Sequence, residues 1–494
     1  MIHEHPLKIL KHAKSSIWLL IFPILRGIRS FSLDLDAFYT WITGGWFDLL
    51  VLIVILAFGY FRWLFTWMRL GKNHIRVMSG IFVKRVTEMP YKSIAVVTAQ
   101  HSFYLRPFHA VRVHVDTDAG VFGTTDLSIL LHRDELKKIQ RKLPKIVRKE
   151  KKTFTLSSKW YKIVFFSFVF SSSLSGAVYV SALIFNAGRI VMEAMRDDWT
   201  EMYRIANDMS ENMSAGAPVD IPPVAIILMF IVLGTWLLSF IINIFRYSDF
   251  VMKKDTHIMR IISGAFTRRI FNIIPEKINY LDLRQSFITK LFRVSSLNIS
   301  CSGYGKGKNE LPVLLPLLTQ REANDALDML GFKKYLVRRK VRPVKSSVIS
   351  YISAPLTIAA VILAAGWLTV YFLSQLSNIM FFVVLILEIP FIWLTVVKLY
   401  AHATTGVTVE DDFCCIRYSR FFAYHTILAD KNKLVKIQIF QSLINKKTGR
   451  CRLDFYFNSE KTRAHKVKGL RVEEAQKIIE QLGVLESGEK MHNF

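Results

Sequence analysis

The sequence predicts a polytopic α-helical membrane protein, with six spans carrying three small cytosolic α+β domains. Each domain is expected to be a bent antiparallel sheet with a C-terminal helix. Three observations predict this. The 494 residues are 52% hydrophobic and the mean hydropathy is +0.29, too apolar for a soluble chain of this length. The apolar residues gather into stretches long enough to cross a bilayer. Paired apolar stretches followed by a basic, strand-rich segment recur three times, and such repetition fixes architecture.

A spanning helix needs about 20 mostly apolar residues to cross roughly 30 Å of hydrocarbon. Residues 46–67, 160–185, 221–245, 349–372 and 379–400 meet that requirement. Residues 16–28 are shorter and contain Pro23 and Arg26. No small-residue cleavage site of a signal peptide follows, and the pairing of spans elsewhere makes this stretch the first span. Trp41, Trp46, Trp160 and Trp393 are expected among the interfacial anchors.

The predicted order is a tail and first span pair (1–68), a domain (69–152), a second pair with an acidic external loop (153–247), a domain (248–340), a third pair (341–401) and a divergent third domain (402–494). Lysine and arginine near span ends set orientation. Segment 69–159 has 19 basic and 7 acidic residues, and segment 247–348 has 19 and 8. The loop 186–220 reverses this, with 3 basic and 7 acidic residues. Both termini and all three domains are therefore expected in the cytoplasm. The net charge of +28 follows from topology and from nearness to anionic lipid. Nucleic acid is not expected as a partner, because no nucleic-acid fold signature accompanies the charge. Cys301, Cys414, Cys415 and Cys451 lack metal-site spacing and read as reduced thiols, with Cys414 and Cys415 buried in a strand.

The repeat can be counted. Ser79 and Gly80 return as Ser263 and Gly264, 184 residues on, and Ser102, Phe103, Arg106 and Phe108 return as Ser286, Phe287, Lys290 and Phe292. A third copy, offset by 156, carries Ser419, Arg420, Gln441, Ser442 and Lys446. In the first copy, residues 75–86 read as a hairpin around Ser79-Gly80, and Pro90 opens a new extended stretch. Val111, Val113 and Val115 alternate with Arg112 and His114 as a strand. Residues 127–143 read as an amphipathic helix. The other copies end in similar helices, with Gly331 and Gly483 placed to terminate them.

The order Ser-Gly hairpin, basic residue, proline, Gln-Ser, basic residue, phenylalanine, between two spans and a terminal helix, resembles the bacterial pleckstrin-homology-like (PH-like) domain of the second type. The opening His5–Leu10 resembles the start of such proteins. Three two-span-plus-domain units in about 490 residues resemble the YdbT group of membrane proteins. The resemblance implies two near-orthogonal sheets closed by a helix, and a smaller companion protein with two spans and one such domain. The third copy departs from the pattern: Arg420 replaces the turn glycine, and no proline matches Pro90 or Pro275.

Catalytic constellations are missing: there is no H-E-x-x-H, no G-x-S-x-G and no paired metal-ligand spacing. The chain is expected to be no enzyme and to need no cofactor or metal. His3, His5 and His12 read as solvated tail residues. The glycine-rich stretch 302–310 lacks a phosphate-loop signature and reads as a loop whose Lys306 and Lys308 face lipid headgroups. Arg85, Arg106, Arg269, Lys290 and Lys446 form a candidate surface for lipid or partner, since each cation near an anionic leaflet gains about 1 kcal/mol. Glu388, followed by Pro390 in the last span, is the candidate intramembrane polar site, because a charge there costs at least about 2.5 kcal/mol. It is expected to serve packing through a hydrogen bond to backbone freed by Pro390. The function expected is non-catalytic scaffolding or assembly through these domains, binding a protein partner or anionic headgroups, in envelope integrity or resistance to membrane-active agents. The alternative is a transporter or flippase-like protein using Glu388.

Overall fold

The computed structural model describes residues 2–9, 46–80, 83–118, 125–136, 154–171, 196–215, 221–255, 258–305, 312–410, 412–458 and 463–482. The expected first span, His12, Lys306, Lys308, Gly483 and the second half of the 160–185 span lie outside them. By internal contact the chain divides into two compact units, and the division runs through the second repeat.

The first unit comprises Met1–Leu156, Val251–Lys277 and Ser302–Lys306. An apolar helix, α1 (Trp46–Leu64), leads into it. Strands β1 (Ile2–His3), β2 (Trp67–Leu70), β3 (His74–Ser79) and β4 (Arg85–Pro90) form a four-stranded antiparallel sheet in chain order. The β3–β4 hairpin is the expected one, and Gly80 has φ 115°. A Cβ there would lie 2.0 Å from the Val83 carbonyl oxygen, so the turn admits only glycine. Pro90 does not open the next strand. It ends β4, and a short 3₁₀ turn, Tyr91–Ser93, precedes β5, because proline cannot continue a ladder as a donor.

The second sheet of this unit contains β5 (Ile94–Ser102), β6 (Ala110–Thr117), β7 (Leu127–His132), β8 (Phe154–Ser157), β9 (Val251–Lys254), β10 (Met259–Ser263) and β11 (Thr267–Ile273). Its order is β7-β6-β5-β11-β10-β9-β8. The alternation of Val111, Val113 and Val115 holds: all three are buried in a core with Ile75, Val77, Val97 and Leu131. The helix expected over 127–143 is corrected. Residues 127–132 are strand β7, paired with β6, and helix begins only at 133. The run "LSILLH" buries Leu127, Ile129, Leu130 and Leu131, and such a run reads equally as strand or helix. His5 is no solvated tail residue, since its Nε2 lies 3.1 Å from the Phe108 carbonyl oxygen.

The second unit comprises Ser157–Phe250, Ile278–Cys301 and Gly307–Phe494. Its six-stranded sheet contains β12 (Ile278–Ser286), β13 (Val294–Cys301), β14 (Val313–Thr319), β15 (Gly406–Val409), β16 (Phe413–Arg420) and β17 (Ala423–Asp430), in the order β14-β13-β12-β17-β16-β15. A three-stranded sheet follows: β18 (Leu434–Phe440), β19 (Arg450–Phe457) and β20 (Ala464–Arg471). Cys414, Ile416 and Ile427 from one sheet meet Leu453, Phe455 and Val467 from the other. The unit's helices are α2 (Trp160–Phe170), α3 (Arg196–Ser214), α4 (Pro223–Tyr247), α5 (Phe287–Leu291), α6 (Gln320–Leu330), α7 (Val348–Phe372), α8 (Ser377–Thr404), α9 (Leu443–Lys447) and α10 (Val472–Gln481). Ala475, Ile478 and Ile479 of α10 close the core. Gly331 caps α6 with φ 82°, as its position suggested. Arg420 does not break the third hairpin: β16 and β17 join through Phe421 and Phe422, and Phe421 takes φ 47°.

The sheets do not stop at repeat boundaries. In the first unit β5, from repeat one, pairs with β11, from repeat two, running from Ser102↔Thr267 to Val96↔Ile273. In the second unit β12, from repeat two, pairs with β17, from repeat three, running from Ser286↔Ala423 to Leu281↔Leu428. The offsets of 184 and 156 convert one register into the other, so the same joint is made twice.

Three helices among the described residues are long and apolar enough to cross a membrane: Met229–Tyr247, Lys345–Phe372 and Met380–Thr404. Of the six expected spans, three are found within those residues. The apolar stretches Ile55–Leu64 and Trp160–Val169 are shorter, and the first expected span and residues 172–185 lie outside the description. The expected acidic loop contains a helix, α3.

Candidate functional site

The site grows from the joint in the second unit. β12 ends at Ser286, whose hydroxyl accepts from the Thr289 amide, while the Thr289 hydroxyl accepts from the Ser286 amide (3.2 and 2.7 Å). This reciprocal cap starts α5 and carries Lys290 over two rings. Its Nζ lies 4.5 Å from the Tyr424 ring centroid and 4.9 Å from that of Tyr400. The Tyr424 hydroxyl donates to the Val397 carbonyl of α8 (3.1 Å), which ties β17 to that helix.

Two arginines complete the cation set. Arg339 donates to the Ala403 and Thr405 carbonyl oxygens at the end of α8 (2.5 and 3.2 Å), where the helix dipole favours positive charge. Arg417 of β16 donates to the Val337 carbonyl oxygen (2.6 Å). Together with Gln285, Tyr424 and His425 these cations line a cavity of ≈ 240 Å³, and among the described residues its lining contains no carboxylate. Burial, then the charges of Arg339 and Arg417, lower the Lys290 ammonium from 10.5 to about 8. An anion in the cavity would relieve that repulsion and accept charge-assisted hydrogen bonds.

Behind the cavity His425 Nδ1 lies 2.8 Å from Asp282 Oδ2, and Tyr418 stacks on His425 with centroids 5.1 Å apart. The Tyr418 hydroxyl lies 2.8 Å from His465 Nδ1. Burial lowers His465 to about 3 and raises Tyr418 well above its ordinary value. All four cysteines are free and buried, and burial pushes the Cys414 thiol up to about 12, which makes it a poor nucleophile at neutral pH.

Among the described residues, Lys290 alone of the predicted basic set lines this cavity. Arg106, its equivalent in repeat one, donates to the Ala265 carbonyl oxygen across the joint of the first unit (3.0 Å). Lys446, the equivalent in repeat three, sits on α9. Arg85 begins β4, and Arg269 lies in β11 opposite Gln100 and Ser263. Glu388 is buried within α8, and its Oε1 has no hydrogen-bond partner among the described residues, so that atom does not make the backbone bond expected of it. Arg339, Arg417, Tyr400 and Tyr424 were not legible as site residues, because the pairing of β12 with β17 brings them together from distant parts of the chain. The basic run around Arg339 was the one available signal.

A sequence profile described as Bacterial PH domain matches residues 19–145, 214–331 and 348–485. No curated protein matches the chain.

Proposed function

The chain belongs to the bacterial PH domain family, and from that membership we propose a non-catalytic scaffold of the bacterial cell membrane that holds anionic lipid headgroups at the cytoplasmic leaflet. The observation that carries this reading is the Lys290 cavity, lined among the described residues by three cations and no carboxylate. Its place beside the end of α8, a helix apolar enough to cross a membrane, supports a lipid over a freely diffusing anion. The asymmetry of basic and acidic segments supports six spans with both termini in the cytoplasm. Such a scaffold would serve envelope integrity, and loss of the protein is expected to sensitise cells to membrane-active agents.

Lipid retained by the full chain tests the proposal. Native mass spectrometry of protein extracted from its own membrane should show bound anionic phospholipid, with less on the Lys290→Gln variant. Inorganic phosphate and a short-chain phosphatidate, added separately, distinguish the sources of the anion. Equal retention by wild type and variant would remove the cavity from the account. Phosphate binding as tightly as phosphatidate would point to a soluble ligand.

A further inference from the structure

The repeated joint leaves one half unused at each end of the series. β5 and β12 each accept a strand from the following repeat, and β18 is their equivalent in repeat three. Among the described residues β18 pairs only with β19. β11 and β17 are the strands accepted, and β4 is their equivalent in repeat one. It pairs only with β3 among the described residues. A single chain thus carries both halves of a joint it already makes twice. We propose that copies of this chain join head to tail, with the free edge of β18 in one copy taking β4 of the next.

The register follows from the two existing joints. Thr98↔Phe271 and Asp282↔Ile427 are equivalent pairs, and the same offsets place Gln438 opposite Thr87. Ile439 then faces Val86, Phe440 faces Arg85 and Val435 faces Pro90. Val435, Val86 and Phe440 are 69%, 45% and 42% exposed, and the joint would cover all three. Strand addition supplies main-chain hydrogen bonds and side-chain pairs together. The contact is heterologous, so it closes into a ring or extends as a filament according to the rotation between copies.

Two residues make this joint weaker than the internal ones. The Ile274 amide donates to the Ala95 carbonyl oxygen (3.1 Å), and the equivalent residue in repeat one is Pro90, which has no N–H. Lys436 stands where the joints of the two units have the buried Val96 and the buried Tyr280. Proline and lysine are the residues that restrain open edges from indiscriminate pairing, and they leave association between copies reversible.

Cross-linking in the native membrane tests the proposal. The Ile274-to-Ala95 hydrogen bond makes Thr98 and Phe271 a non-hydrogen-bonded pair, so Thr87 and Gln438 occupy positions with Cα atoms about 4.5 Å apart, within disulfide range. All four native cysteines are buried. Two differently tagged full-length copies, one Thr87→Cys and one Gln438→Cys, should give a disulfide-linked heterodimer on mild oxidation. The band should be lost when Glu88→Cys, on the opposite face, replaces Thr87→Cys. The unmodified chain in detergent should show concentration-dependent species above the monomer, and Val435→Pro, which removes an edge donor, should shift them to monomer. No cross-link, an equal cross-link in the control, or an unmodified chain that stays monomeric overturns the proposal. So does a cross-link that joins Gln438→Cys only to a protein of another sequence, such as a smaller member of the family.

Discussion

On the proposed reading, Lys290 is the residue on which anion binding turns. Its folded value of about 8 lies below its ordinary 10.5, so its charge is unfavourable in the empty cavity. A bound anion reverses that and raises the value. Affinity should therefore be full below about pH 8 and fall as pH rises through it. Removing the charge relieves repulsion, so Lys290→Gln should keep the unfolding midpoint unchanged or raise it while anion binding falls. A binding loss accompanied by a lower midpoint would mean that the residue serves packing. His465 gives a second prediction with its own sign. Its folded value of about 3 lies below 6.5, so the unfolded chain binds one more proton between those values. The stability it contributes is present above pH 6.5 and is lost as pH falls towards 3, by up to about 1.4 kcal/mol per pH unit. His465→Gln should flatten that acid slope in thermal unfolding measured from pH 7 to 5. An unchanged slope would assign the loss to other groups.

Helix ends and crossings carry the element-scale energetics. Thr319 and Glu322 cap α6 reciprocally, and Thr319→Ala should lower stability by about 1 kcal/mol in denaturant unfolding. α7 approaches α8 at Gly366, where an added Cβ would lie 2.4 Å from Val384 Cγ2. Gly366→Val should force the pair apart and lower the thermal midpoint. An unaffected midpoint would show that the crossing is loose. These elements also mark what the sequence reveals. The Ser-Gly hairpins, the Val111–Val115 strand and the closing helices α6 and α10 were legible, because periodicity and turn glycine report local structure. β7 was not, since its apolar run fits both periods. One repeat signature was hidden by residue type. His109, Arg293 and Gly449 are equivalent positions with φ of 52°, 54° and 60°, yet only the third copy marks that left-handed backbone with glycine.

At the scale of the whole molecule, the threefold repetition was legible and its consequence for the sheets was not. Ser102, Ser286 and Ser442 each precede a short helical turn after equivalent strands, as the offsets required. The pairing of β5 with β11 and of β12 with β17 joins residues more than a hundred positions apart, and no local pattern announces it. The cavity around Lys290 is a product of such a joint, so its arginines were equally hidden. Topology is testable directly. Ser210 is buried, so a cysteine at the exposed Asn212 is the better reporter for the acidic segment. An impermeant thiol reagent added outside should label Asn212→Cys and miss Ser157→Cys, and the reverse would invert the orientation.

The most direct test of the account is a calorimetric titration of the detergent-solubilised full chain with a short-chain anionic phospholipid at pH 7 and pH 9. The account predicts binding by wild type at pH 7, weakened at pH 9 as Lys290 loses its proton, and weak binding by Lys290→Gln at both. Wild type and variant that bind equally at pH 7, or an affinity that rises at pH 9, would contradict it.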